Sequence, residues 1–258
     1  GKILEPPIEN AKKLSAVLGV SDIVSKLLIQ RGINNYESAK GYFRPLWTHL
    51  NNPFLMKDMQ KAVDRIKEAI EKNEKVMILG DYDVDGTTSV SLLISYLSDK
   101  ITDLKPYIPD RYSEGYGISE RAINYANSED INLIIALDCG IKAIEKLRYA
   151  SSLGIDFIIC DHHLPGEILP DAVAILDPKR TDCNYPFKDL CGCGIGFKLI
   201  QAINNDLGLS DSDLIIYLDL VAVSIAADLV PLVGENRTLM FLGLKQLREN
   251  PRPGFKIL

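Results

Sequence analysis

Residues 76–89 read VMILGDYDVDGTTS, and the rest of the chain is arranged around them. The apolar run Val76 to Leu79 has the length and content of a short buried strand, and it stops at Gly80. Asp81, Asp83 and Asp85 then alternate with other residues. On an extended segment alternate side chains share one side, so this spacing gathers carboxylates. Gly86, Thr87 and Thr88 suit a turn into a helix expected from about Thr88 to Leu97. Repelling carboxylates at a strand end call for a positive charge among them, and oxygen donors suit Mg2+ or Mn2+. The plainer reading of this stretch is an acidic, solvated turn.

The composition sets the frame. At 258 residues, 47% hydrophobic and 25% charged, the chain can bury a full core as one large α/β domain or two small ones. No apolar run approaches the roughly 20 residues of a membrane span, and no signal peptide is visible. Five cysteines at irregular spacing form no paired CxxC motif, which argues against a zinc ribbon and for a reducing, cytoplasmic setting. Cys139 and Cys160 fall at the ends of apolar runs and read as small core thiols. A net charge of −6 disfavours a general nucleic-acid binder, although metal ligands account for part of it. Gly1, with no initiator methionine, suggests a trimmed terminus.

Outward from the organising stretch, strands and helices alternate. Residues 8–45 look helical in pieces, with helical spacing from Val20 to Arg31 and Gly32 as a stop. Phe43 to Pro53 reads as a loop, and Met56 to Lys72 as an amphipathic helix leading into the first strand. Further strands are expected at Leu104–Ile108, Leu133–Leu137, Ile155–Cys160 and Val173–Leu176, with helices from Ser119 and over 141–153. Four of the five strands end in an acidic residue: Asp81, Asp138, Asp161 and Asp177. The fold class is therefore α/β: a mostly parallel central sheet with helices on both faces, and helical amino-terminal and carboxy-terminal segments. Ligands of such sheets sit beyond the carboxyl ends of the strands, so the four acids point at one shared site.

Two further features converge there. His162 and His163 are adjacent and directly follow Asp161 and a buried strand. Asp228 lies in LDLVAVSIAADLVPL (218–232), a stretch too apolar for a surface helix, where a carboxylate is costly to bury unless paired or metal-bound. A lone histidine is more often structural; this pair beside so many carboxylates favours function.

GDYDVDGTTS, LDCGI, DHHLPG and AADLVPL resemble, in order, the four motifs of the Asp-His-His (DHH) phosphoesterase superfamily. IPDRYSEGYG, LDPKR with DCNYPF, and CGIGFK are similar to the RecJ branch, the single-strand-specific DNA exonucleases. The resemblance runs from about Val20 to Leu247. It implies a two-metal phosphodiesterase acting 5′ to 3′ on single-stranded DNA in repair and recombination, with Mn2+ or Mg2+ as cofactor. By motif position, Asp85, Asp138, His162 and Asp228 would hold one ion, and Asp81, Asp83 and Asp138 the other. His163 would meet the scissile phosphate, Asp161 would orient a ligand histidine, and Arg111 and Tyr116 would contact nucleotide. Lys179 and Arg180 could meet phosphate. Relatives with smaller substrates often place a histidine ahead of the two motif-one aspartates, where this chain has Leu79 and Asp81.

The resemblance also implies a division into a helical extension, 1–55, and a DHH catalytic domain, 56–258. RecJ-type enzymes add a second domain that grips nucleic acid, and the ending RPGFKIL carries none of it, so the chain reads as an excised catalytic portion. Single-stranded DNA is the implied partner, with replication or repair proteins as further candidates and no membrane. The rival readings are a DHH hydrolase of short oligoribonucleotides or cyclic dinucleotides, and a non-catalytic member that binds DNA or a replication partner.

Overall fold

The computed structural model describes residues 8–257; Gly1, read above as a trimmed terminus, lies outside them. The chain forms two compact units, Gly1–Leu50 and Asn51–Leu258. In the first, α1 (Ile8–Leu18), α2 (Asp22–Gln30) and α3 (Tyr36–Phe43) bury Leu14, Leu28, Ile33 and Ala39 against one another. Ser21 caps α2, and Asn35 and Ser38 form a reciprocal capping box on α3. The expected loop from Phe43 contains a single 3-10 turn, Trp47–His49, and a second follows at Pro53–Leu55 in the other unit.

The second unit is built on five parallel strands, β1 (Val76–Gly80), β2 (Leu104–Tyr107), β3 (Leu133–Leu137), β4 (Asp156–Cys160) and β5 (Ala174–Leu176), in the order β2-β1-β3-β4-β5. Every residue of β1 and β3 is buried, as expected of strands covered on both faces. Alternation divides their side chains. Met77, Leu79, Ile134, Ala136, Phe157 and Ile159 pack against α6 (Glu120–Ser128) and α7 (Ile144–Ser152). The opposite face is covered by α4 (Met59–Glu71), α5 (Val84–Leu97) and α8 (Gly192–Asp206). The chain closes with α9 (Leu218–Ala227), α10 (Gly234–Glu249) and α11 (Pro253–Ile257), after a 3-10 segment at Asp211–Tyr217.

Most boundaries fall within a few residues of the sequence reading, and two of the differences bear on the site. Helix α5 begins at Val84, not near Thr88, because the Asp83 side chain accepts from the Gly86 amide and caps it. Asp85 therefore sits in the first helical turn, and the three aspartates do not lie on one extended segment. The tight strand-to-helix turn explains both glycines beside it: a Cβ on Gly86 would lie 2.3 Å from the Asp81 carbonyl oxygen, and one on Gly80 would lie 2.6 Å from the Gly86 oxygen. Helix α7 starts at Ile144 rather than 141, since Gly140 at φ +109° still belongs to the turn. The apolar stretch 218–232 also holds a second charge, Asp219, fully buried and held by Arg252 at 2.9 Å.

Candidate metal centre

The expected convergence at the carboxyl ends of the strands is present. Asp81 follows β1, Asp138 follows β3, Asp161 and His162 follow β4, and Asp177 follows β5. All five are buried. Asp138 has a left-handed backbone, φ +60°, and its amide donates to the Cys160 carbonyl at 2.8 Å, which ties the β3 and β4 ends together. A non-glycine residue in this region is uncommon and strained, and such residues concentrate at functional sites.

His162 is the hub. Its Nε2 lies 3.1 Å from Asp138 Oδ1, 3.7 Å from Asp228 Oδ2 and 3.8 Å from Asp85 Oδ2. Asp85, His162 and Asp228 each offer a ligand atom within 4.8 Å of the others, and so do Asp138, His162 and His163. Asp85 is aimed by three donors: the amides of Gly192 (2.6 Å) and Cys193 (2.7 Å) at the start of α8, and the Ser224 hydroxyl (2.6 Å) from α9. Asp228 arrives from the same end of α9, one turn after Ser224, where it is the C-cap. Asp138 Oδ1 and both His162 ring nitrogens are buried without a hydrogen-bond partner. Buried polar atoms rarely stay unsatisfied, and a cation beside Nε2 would satisfy both it and Asp138 Oδ1.

Electrostatics agree. Burial and the charges of Asp85, Asp83 and Asp161 push the Asp138 carboxyl up to about 10. Burial also raises Asp228, with Asp85 and Asp83 adding to it and His162 opposing. Carboxylates crowded in a dry site cannot all ionise unless a cation joins them.

His163 has a different environment from its neighbour. It is half exposed, and its Nδ1 lies 2.7 Å from Asp161 Oδ1 while its Nε2 lies 3.4 Å from the Tyr116 hydroxyl. Asp161 also accepts from the amides of Ile141, His162 and His163. Burial alone would raise its carboxyl, but the His163 ring and the Ile141 amide hold it below the usual range. Asp161 thus orients the ring of His163, not that of His162. The hydrogen bond that the ring donates to Asp161 likewise raises the His163 imidazole above its ordinary value, against the effect of burial.

Asp81 and Asp83 sit at the margin of the cluster. Asp81 accepts from the Gly117 amide at 3.3 Å, and burial raises its carboxyl. Asp83 is exposed and occupied in capping α5. Among the described residues, ligand atoms of Asp81, Asp83 and Asp138 do not form a group within 4.8 Å. Arg111 lies over the Tyr82 ring at 5.2 Å, Tyr82 meets Tyr116 edge-on at 6.5 Å, and Tyr116 meets His163 at 5.9 Å. Tyr116 also donates to the Asp138 carbonyl at 3.0 Å. The two expected nucleotide contacts thus belong to one aromatic path ending at the histidines.

Arg180, by contrast, is corrected. It is buried and bonded to Asp58, Asp182 and the Ile175 carbonyl, so it serves the fold and is not free for phosphate. The sequence reading does not single out Ser224 or the Gly192 and Cys193 amides, and CGIGFK enters it only as a flanking stretch. Asp177 enters it as a strand-end acid without a site role; burial pushes its carboxyl up to about 7, and its Oδ2 has no hydrogen-bond partner. All five cysteines are buried and unpaired by disulfides, including the core thiols Cys139 and Cys160. Among the described residues no helix is long and apolar enough to cross a membrane.

Comparison with known proteins agrees with this geometry. A single-stranded-DNA-specific exonuclease RecJ of Bacillus subtilis is 44% identical over 257 residues, all of this chain but 32% of that protein. The Escherichia coli protein of the same name is 34% identical over 92% of this chain and 42% of its own length. The chain thus spans well under half of these relatives. Among solved structures, RecJ from Thermus thermophilus in complex with Mn2+ superposes with a TM-score of 0.81 at 28% identity, over 99% of this chain and 36% of that one. An exonuclease RecJ bound to manganese gives 0.73 at 32% identity, over 83% of this chain and 52% of that one. The DHH family, N-terminal domain, matches residues 75–225, and Asp228 follows three residues later. With that match spanning the whole sheet and both histidines, the chain belongs to the DHH family.

Proposed function

We propose that this chain is the catalytic portion of a single-stranded-DNA-specific exonuclease, a metal-dependent phosphodiesterase that releases nucleotides from the 5′ end in DNA repair and recombination. The observation that carries it is the set of buried, unpartnered ligand atoms on Asp138 and His162, with Asp85 and Asp228 within reach. The relatives named RecJ, and the RecJ structures holding Mn2+ or Mg2+, support the assignment. Residues 56–258 form the catalytic domain in this reading and 1–55 a helical extension; the setting is cytoplasmic, with replication and repair proteins as candidate partners.

Asp85, Asp138, His162 and Asp228 would hold one divalent ion; Asp81 and Asp83, whose ligand atoms do not group with Asp138 within 4.8 Å, would have to close on it to hold a second. Divalent ions bound there would supply an activated water and charge stabilisation for phosphodiester hydrolysis. The chain's own groups do the rest. Ser224 and the α8 amides keep Asp85 aimed inward. Asp161 fixes the His163 ring so that Nε2 faces the scissile phosphate. Arg111 and Tyr116 line the approach and hold the nucleotide.

The test is hydrolysis of a 5′-labelled single strand by excess chain in Mn2+. Label released as mononucleotide, lost with Asp138→Ala and in chelator, supports the assignment. Label appearing only in longer fragments, or faster turnover of cyclic dinucleotides or short oligoribonucleotides, replaces it with the other DHH hydrolase reading. Net acidity and few exposed cations near the site give weak grip on the strand, so turnover is expected to be slow and of low processivity.

A further inference from the structure

The two units carry opposite charge. Residues 1–50 hold seven lysines and arginines against four acids, net +3, so residues 51–258 carry −9 in a chain of net −6. The first unit contributes no residue to the metal centre, and its third helix gathers the basic charge beside aromatic rings. In α3, Ala39 is buried and Tyr42 packs against the small core, which leaves the neighbouring face to water. That face carries Tyr36, Lys40 and Phe43 at i, i+4 and i+7, with Arg44 following as the C-cap. Tyr36 and Phe43 are 50% and 49% exposed. Lys40 and Arg44 are exposed too, and neither is in an ion pair among the described residues. Glu37 is the one acid of the helix.

Tyr36 also borders a cavity of about 340 Å³ between α1 and the turn into α3, lined by Asn10, Lys13, Val17, Ile29 and Asn34. Val17 and Ile29 give it apolar wall, and each asparagine offers both a carbonyl and an amino group. Lys13 at its rim pairs with Glu9 at 3.0 Å, but both side chains are exposed and the pair is weak. The volume lies at the small end of ligand sites and suits one flat ring with hydrogen-bonding edges.

Exposed rings interleaved with cations match a single nucleic-acid strand, whose unpaired bases stack on the rings while its phosphates meet the cations. A duplex keeps its bases stacked inside and offers only the phosphates. We propose that α3 and the cavity beside Tyr36 form a separate contact for single-stranded nucleic acid. Bases stack on Tyr36 and Phe43, phosphates meet Lys40 and Arg44, and one base edge enters the cavity between Asn10 and Asn34. The contact lies wholly within the first unit and uses no metal ligand. A strand held there has a raised local concentration at any other site of the same chain.

The test is fluorescence anisotropy of a labelled oligothymidylate of about 16 nucleotides, the upper site size of a single-strand-binding module. The whole chain is used in chelator, where carboxylates without a cation repel the strand and binding reports the first unit. Tyr36→Ala and Phe43→Ala should each weaken binding by about tenfold, the scale of one lost base stack, and Tyr36→Phe should retain it. Lys40→Glu should weaken binding and reduce the salt slope by about one. A duplex of the same length and an abasic deoxyribose-phosphate strand should bind more weakly, and Mn2+ affinity should be unchanged in every variant. Unchanged strand affinity in variants that keep the parent melting temperature overturns the proposal, and Lys40→Glu decides alone if the ring variants do not fold. Equal binding of the abasic strand or of heparin also overturns it, leaving a basic patch open to any polyanion, an acidic protein among them. Variant-sensitive binding by a chain that does not hydrolyse DNA keeps this surface and fells the exonuclease reading; hydrolysis with variant-insensitive binding does the reverse.

Discussion

At Asp138 both backbone and side chain are held where a residue of its type is uncomfortable. The left-handed φ of +60° costs on the order of 1 kcal/mol, and the buried Oδ1 has no partner other than the His162 ring nearby. Asp81 is better accommodated, with the Gly117 amide on its carboxylate. Asp81→Ala should therefore reduce Mn2+-dependent hydrolysis by about 10–100-fold, as loss of a supporting group does, and Asp138→Ala by more than that. Equal residual rates at saturating Mn2+ would count against a shared ligand. The paired histidines separate in the same way. His162 is buried with both nitrogens unpaired, whereas His163 is anchored through Nδ1 and half exposed. His162→Ala should weaken Mn2+ affinity; His163→Ala should leave it intact and slow the chemical step. Calorimetry with Mn2+ on both variants decides this, and equal losses would sink the distinction.

At the scale of elements, the site depends on how closely α8 approaches β3 and how α9 meets α5. A Cβ on Gly192 would lie 2.6 Å from the Asp138 Cβ, so Gly192→Ala must displace either the helix start or the ligand. We expect it to destabilise the chain by about 1–3 kcal/mol, the range for overpacking, and to weaken Mn2+ binding as well. A denaturant titration beside a metal titration would show both; a neutral result on both would mean that α8 can withdraw freely. Ser224 bridges α9 to Asp85 and to Cys191 Sγ at 3.0 Å. Ser224→Ala leaves no clash and removes the 2.6 Å bond to Asp85 together with the weaker one to Cys191 Sγ, so it should lower Mn2+ affinity by about tenfold with little change in melting temperature. A large loss of stability with unchanged Mn2+ affinity would make Ser224 structural instead.

For the whole molecule the consequence is a fold that is linked to metal and to pH. The Asp138 carboxyl lies near 10 against an ordinary 3.8, so between those values the metal-free fold disfavours the charge that solution would impose. Its contribution therefore grows more unfavourable as pH rises through that window. A divalent ion reverses the sign by favouring the carboxylate. Mn2+ should thus raise the melting temperature more at about pH 8 than at about pH 6, and binding should release protons near neutrality. Calorimetry in buffers of different ionisation enthalpy measures that release directly. No proton release would show that the acids are already ionised in the metal-free chain.

The sequence by itself determined the sheet, the place of the site and most of its members. Strand runs are local apolar stretches, and acids at the ends of parallel strands must converge, so Asp81, Asp138, Asp161 and the histidines could be placed without coordinates. Asp228 was legible because a carboxylate stands out in an apolar helix. Only the tertiary structure decided how these groups are held. The α5 start at Val84 depends on a cap that competes with extension of β1. The donors on Asp85 lie more than a hundred residues away, a contact that local periodicity does not encode. The same holds for Arg180, whose pairing with Asp58 at the start of α4 turns an expected phosphate contact into part of the buried structure.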